Sequence, residues 1–173
     1  MLLPRDQALR FINGYKPMLL RVLQNTGTAE TGNINTDLAA ARTLGTENPA
    51  LFESALSDLE AEGNPVEPSV IAAIRSLKVG LWLYLRHGKT YAVFLDKDAK
   101  NAYAVRALTT PLNELLDEPP FAVETGVFEF EGSFVCDGLA LNPIALGPGY
   151  RAQLSAVYSS LRKAGRFRAR TAA

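Results

Sequence analysis

One cysteine and one histidine stand in 173 residues, so a thiolate–imidazole pair could only be Cys136 with His87. A thiolate needs a base to take its proton and a third group to orient that base. Asp137, next in the chain to Cys136, is the candidate orienter. The dyad requires the segment around His87 to lie beside the one around Cys136. The structural alternative is a buried cysteine and a solvated histidine at a turn. A single Cys and a single His cannot form a Cys/His zinc site, and one cysteine allows no intramolecular disulfide.

Carboxylates offer a second chemistry. Asp96-Lys97-Asp98 follows the apolar run Tyr91 to Leu95, as in the pattern where a carboxylate attacks phosphorus and magnesium offsets the charge. That chemistry belongs at the end of a parallel strand followed by a helix. Here the next segment reads as a hairpin partner, and no later acidic pair completes a magnesium site. DKDAKN also lacks the glycine and closing glutamate of a calcium loop. Asp96 and Asp98 are the candidate metal ligands, a polar hairpin tip is the simpler account, and no cofactor is expected. No serine stands in a G-x-S-x-G context, and the glycines of TGTAETGNINT lack the Gly-Lys-Ser/Thr ending of a phosphate loop.

The third chemistry is electrostatic. Residues 1–77 hold six Lys/Arg against nine Asp/Glu, residues 78–149 hold six against nine, and residues 150–173 hold six against none. An acidic body thus carries a basic end. Arg162, Lys163, Arg166, Arg168 and Arg170 surround Phe167, and arginines beside an aromatic can hold phosphates while a base stacks. No helix-turn-helix or RNA-binding sheet signature accompanies them. Docking of the end on its own acidic body, or a frayed basic helix terminus, explains the same residues.

These groups need elements to position them. Pro4 or Arg5 to Gln24 reads as helix, with Leu9, Ile12, Leu19, Leu20 and Leu23 as candidate core, a break near Tyr15 from Pro17, and a stop at Gly27. Thr36 is the expected N-cap of a short helix ending at Gly45. Asn48-Pro49 opens the next helix and Pro68-Ser69 another. At Gly80 the apolar period changes from about 3.6 to about two. Strands are expected at 81–86, 90–95, 102–108, 121–130 and across the hairpin at Glu131-Gly132 or Gly132-Ser133. Asn142-Pro143 reads as a turn before a last short strand. An amphipathic helix led by Gly-Pro-Gly then places Tyr150, Leu154, Val157, Tyr158 and Leu161 on one face.

Alternation puts Phe128, Phe130, Val135, Asp137, Leu139 and Leu141 on one hairpin face, and Glu129, Glu131 and Cys136 on an opposite, partly wet one. Asp137 thus falls where an apolar residue belongs, unless Gly138 bulges. A carboxylate there must find donors or become protonated.

The order of a strand, a Thr-Pro-Leu connection, FEFEGSFVCDGL, NPIALGPGYRAQL and a helix closing on KAGRF resembles the C-terminal part of an uncharacterised bacterial protein family. The resemblance covers about the last 65 residues and implies no catalytic residue. In that pattern an aromatic often stands where Cys136 is, which weighs against a nucleophilic role.

The expected fold is α+β: a helical half, 1–77, packed on an antiparallel meander of about five to six strands with a C-terminal helix, 78–173. The alternative is one domain over 1–165 with a basic tail, 166–173. No segment has a signal-peptide plan or the length to span a bilayer, so a cytoplasmic location is expected, and the resemblance implies a bacterial source. The leading functional expectation is an accessory or regulatory module that binds a protein partner or a second copy of itself. The alternatives are nucleic-acid binding through Arg162 to Arg170 and a hydrolase-like enzyme using Asp137 or Asp96 and Asp98.

Overall fold

Ala8, Phe11, Tyr15, Met18 and Val22 recur every three or four residues, and all are buried. That stripe draws Arg5–Thr26 into one helix, α1, which runs through Pro17 and ends on Gly27 at a φ of 63°. Of the expected core positions Leu19 and Leu23 are buried, and Ile12 and Leu20 pack against the same core, but the face centres one residue round and leaves Leu9 45% exposed. Aromatic stacking decided the rotation: the Phe11 ring lies 4.1 Å from Phe128, nearly parallel to it. A computed structural model describes residues 2–116, 119–139 and 141–170.

Helix α2 (Ile34–Glu47) begins earlier than expected because Asn33, not Thr36, caps it, accepting from the amides of Asn35 and Thr36. Gly45 does not stop this helix. It lies inside it, under the Phe52 ring, where a Cβ would collide. Helices α3 (Pro49–Ala61) and α4 (Pro68–Arg75) each open on a proline, whose missing N–H costs nothing in a first turn.

The strands are β1 (Lys78–His87), β2 (Ala92–Asp96), β3 (Ala102–Ala107), β4 (Phe121–Phe130), β5 (Ser133–Cys136), β6 (Leu141–Ala145) and β7 (Phe167–Arg168). The α+β class holds, but the sheet is not a meander. Its order is β1-β2-β3-β5-β4, and β1 pairs again with β4, so five strands close into a barrel with β6 and β7 added at β4 and β3. β5 and β7 both run parallel to β3. Short loops dictate only the local antiparallel pairs. The connection through α5 (Leu112–Leu115) carries the chain to β4, which runs antiparallel to β1. The tight Glu131-Gly132 turn, with both residues at positive φ, then lays β5 along β3.

Closure makes the Cys136 part of the second hairpin face dry, while Glu129 is half-buried and Glu131 exposed. Cys136, Val127 and Phe134 join Trp82, Tyr84, Phe94 and Tyr103 inside the barrel, with Leu112 and Leu116 in the same cluster. Outside, Phe128, Phe130 and Val135 pack on α1 to α4 in one shared core. On another flank Leu85, Val93, Leu95 and Ala102 receive Leu154, Tyr158 and Leu161 of α6 (Pro148–Lys163). Asn142-Pro143 is not a turn between strands but lies within β6, Asn142 at a φ of 49° beside a register shift against β4.

Candidate functional site

Asp137 extends β5 by one residue, its amide donating to Gly126 O at 3.0 Å. Its carboxylate is wholly buried and is met on all sides by donors. Oδ1 accepts from Leu139 N at 3.0 Å, Thr125 Oγ1 at 3.2 Å and Gly126 N at 3.3 Å. Arg42 Nη1 bridges both oxygens, at 3.2 and 2.9 Å, and also donates to Leu139 O at 2.7 Å. Tyr15 Oη completes the set at 3.4 Å from Oδ2. Burial, and then the Asp137 charge, push the Tyr15 phenol well above its ordinary value, so this hydroxyl remains a donor. Gly126 leaves the room: a Cβ there would land on the carboxylate and on Leu77.

Arg42 is the residue sequence reasoning missed. The signal was a lone cation on the apolar face of an Ala-Ala-Ala-Arg-Thr-Leu helix, opposite a lone carboxylate on an apolar strand face. Two buried charges of opposite sign each supply the partner that the other requires. Arg42 Nε and Nη2 have no hydrogen-bond partner among the described residues. The Arg42–Asp137 pair has 0% side-chain exposure on both members. It ties α2 to the barrel, and no substrate in solvent can reach it.

A cavity of about 240 Å³ opens above this pair between α1, the start of α2 and the β3–α5 connection. Asp137 shows it main chain only, since its side chain is fully covered. The walls include Ile12, Leu19, Leu38 and Leu108, and the mouth carries Lys16, Asn35, Thr109 and Thr110.

The other candidates stand apart. Cys136 faces the barrel interior, 3.4 Å from Thr125 Oγ1, and burial, with Asp137 beside it, pushes its thiol up to about 11. A thiol held protonated in that way is no nucleophile at neutral pH. His87 ends β1, its ring 3.4 Å from Tyr84 Oη. Cys136 pairs with Val127 of β4, whose partner on the other edge is Lys78 at the opposite end of β1 from His87, roughly 30 Å of strand away at about 3.3 Å per residue. Cys136 is expected to resist iodoacetamide at pH 8 in the folded protein and to react at once in denaturant. Stoichiometric labelling of the native chain would contradict the barrel interior.

Asp96 is occupied by its own loop: Oδ1 accepts from the Lys100 and Asn101 amides at 2.6 and 3.2 Å, and Oδ2 from Asn101 Nδ2 at 2.8 Å. Asp98 is exposed and lies 3.4 Å from Lys100 Nζ. Among the described residues no three Cys, His, Asp or Glu side chains gather where they could hold a metal.

The basic end docks, but not through its charges. After Gly165 the chain returns to the sheet as β7, pairing with Ala102 and Tyr103 of β3. Phe167 packs on Tyr91 and Tyr158, with ring centroids 5.8 and 5.5 Å apart, so its ring anchors the strand. Arg162, Lys163, Arg166, Arg168 and Arg170 are exposed, and none forms an ion pair with a carboxylate among the described residues. Arg86 approaches from β1, its Cζ 4.9 Å above the Tyr158 ring, while Arg162 Cζ sits 5.9 Å from the same ring. Together Arg86, Arg162 and Lys163 border a groove of about 470 Å³, with Ser155 and Ser159 on its helical side.

No family model, curated protein or solved structure matches this chain.

Two further surface features bear on partners. Ile144 and Tyr150 are 61% and 57% exposed, and Leu81 is 46% exposed. Among the described residues β6 has β4 on one side only, and Pro143 weakens its other edge. Leu146 N points inward to Pro120 O, so by alternation the missing N–H of Pro143 faces outward. No helix among the described residues is long and apolar enough to cross a membrane.

Proposed function

We propose that this protein is a non-catalytic binding module that takes the phosphodiester backbone of single-stranded nucleic acid on its basic flank. One observation carries the reading: Arg86, Arg162 and Lys163, from two separate elements, converge on a groove that no carboxylate among the described residues borders. Three cations brought within one groove repel one another, and a polyanion relieves that repulsion while releasing its own counterions. The Tyr158 ring holds two of the guanidiniums in place from below, so less side-chain freedom is lost on binding.

The barrel plan gives secondary support. OB-type five-stranded barrels bind oligonucleotides with a strand face and the loops beside it, although a fold alone assigns no function. Here α6 covers the outer face of β2 and β3, so the groove rather than that face is the proposed contact.

A fluorescent single-stranded oligonucleotide of about twenty residues is expected to bind saturably at 50 mM salt. The logarithm of affinity should fall linearly with the logarithm of salt, with a slope of about −0.7 per phosphate contact. Arg162→Glu with Lys163→Glu should weaken binding by about tenfold or more without unfolding the chain. Unsaturable binding, or binding indifferent to that charge reversal, overturns the reading.

The second reading is an accessory module with a protein partner. Its support is the exposed set Leu81, Ile144 and Tyr150. Pro143 on the edge of β6 away from β4 disfavours strand addition there, so such a partner would sit on the face of the sheet.

A further inference from the structure

We infer that the cavity between α1, α2 and the β3–α5 connection binds a small amphiphilic anion: one carboxylate or phosphate head on a short apolar body. This site is separate from the basic groove and rests on different residues.

The cavity has a volume of about 240 Å³. At roughly 30 Å³ per water-sized group it takes about eight non-hydrogen atoms, room for the apolar body with the head at the mouth. Its depth is apolar, with Ile12, Leu19, Leu38 and Leu108 in the walls. An apolar hollow of this size with a few polar groups at one end is the usual form of a small-molecule site.

Charge selects the head. The one carboxylate that borders the hollow among the described residues, Asp137, has no exposed side-chain surface and is neutralised by Arg42, so it neither repels an anion nor attracts a cation. Asp37, near the mouth, is turned to the amide and hydroxyl of Thr31, at 2.9 and 2.7 Å. At the mouth stands Lys16, exposed and without an ion-pair partner among the described residues. Thr109, Thr110 and Asn35 flank it, and their side chains form no hydrogen bond within the described protein. Asn35 lies in the first turn of α2, the end of a helix that favours negative charge. An anionic head at Lys16 with its tail toward Leu108 satisfies each of these groups at once.

The test is a titration of the full chain, labelled with nitrogen-15, with octanoate, acetate and octylamine, followed by amide chemical shifts. Octanoate should bind saturably and move the amides of Lys16, Leu108, Thr109, Thr110 and Leu139. Acetate, which has the head without the body, and octylamine, which has the body with the wrong charge, should bind at least tenfold more weakly. Lys16→Glu, a surface change, should weaken octanoate at least tenfold while leaving the rest of the spectrum in place. Linear, unsaturating shifts with octanoate, equal binding of octylamine or acetate, or indifference to Lys16→Glu each overturn the proposal. Arg162→Glu with Lys163→Glu should leave octanoate binding unchanged, which separates this site from the groove.

Discussion

Replacing Arg42 by Met is expected to destabilise the fold by about 3–5 kcal/mol, the cost of stranding a buried charge when its partner is removed. The guanidinium bridges both oxygens of Asp137 from 0% exposed surroundings. Without it, the carboxylate keeps only its hydrogen bonds to Leu139, Gly126, Thr125 and Tyr15. Asp137→Leu alone should cost a similar amount, because it leaves Arg42 with the Leu139 carbonyl and two nitrogens that have no partner among the described residues. The double variant Arg42→Met with Asp137→Leu should be far more stable than the sum of the two losses predicts, since it strands neither charge. Urea denaturation of the four proteins checks this. Additive losses, or a loss below about 1 kcal/mol for Arg42→Met, would mean that the pair does not tie α2 to the barrel.

Phe11→Ala should cost a comparable 3–5 kcal/mol, from lost burial plus the hole left behind. Phe11 is 0% exposed and touches the barrel through Phe128 and Phe130, at ring distances of 4.1 and 5.6 Å, as well as Tyr15 of its own helix. The helices and the outer barrel face therefore share one core, and the loss should fall on both. Far-ultraviolet circular dichroism reports mainly the helices, and fluorescence reports Trp82 inside the barrel. The two denaturation curves should coincide and shift together in the variant. Separate transitions, with only the helical one shifted, would instead mark 1–77 and 78–173 as independent units.

Much of the fold was legible locally. Gly27, Pro49 and Pro68 punctuate the helices where backbone chemistry demands, because a left-handed residue ends a helix and a proline opens one. Glu131-Gly132 turns the hairpin, and its register puts Phe128 opposite Val135. The Leu154, Tyr158 and Leu161 stripe of α6 is buried as its spacing implies. Each of these signals acts within a few residues, so each survives without knowledge of the rest of the chain. Gly45 shows the limit of such rules: its lack of a side chain serves the approach of Phe52 from the next helix, not the end of its own.

The sites divide in the same way. Sequence determined that Asp137 stands among apolar residues, that Cys136 and His87 are the one possible thiolate–imidazole pair, and that residues 150–173 hold six cations and no carboxylate. Tertiary structure alone decided what those residues meet. Barrel closure through β1 and β4 placed Cys136 of β5 in a dry interior, level with the start of β1, and His87 at the other end of β1, because pairings between distant segments follow from the whole path of the chain. Arg42, 95 residues away in sequence, reached Asp137 only when α2 packed on the barrel. Arg86 joined Arg162 and Lys163 only when α6 lay across β1. A residue's type and spacing constrain what it can do; its partners come from packing, which minimises buried unpaired charge and exposed apolar surface over the whole molecule at once.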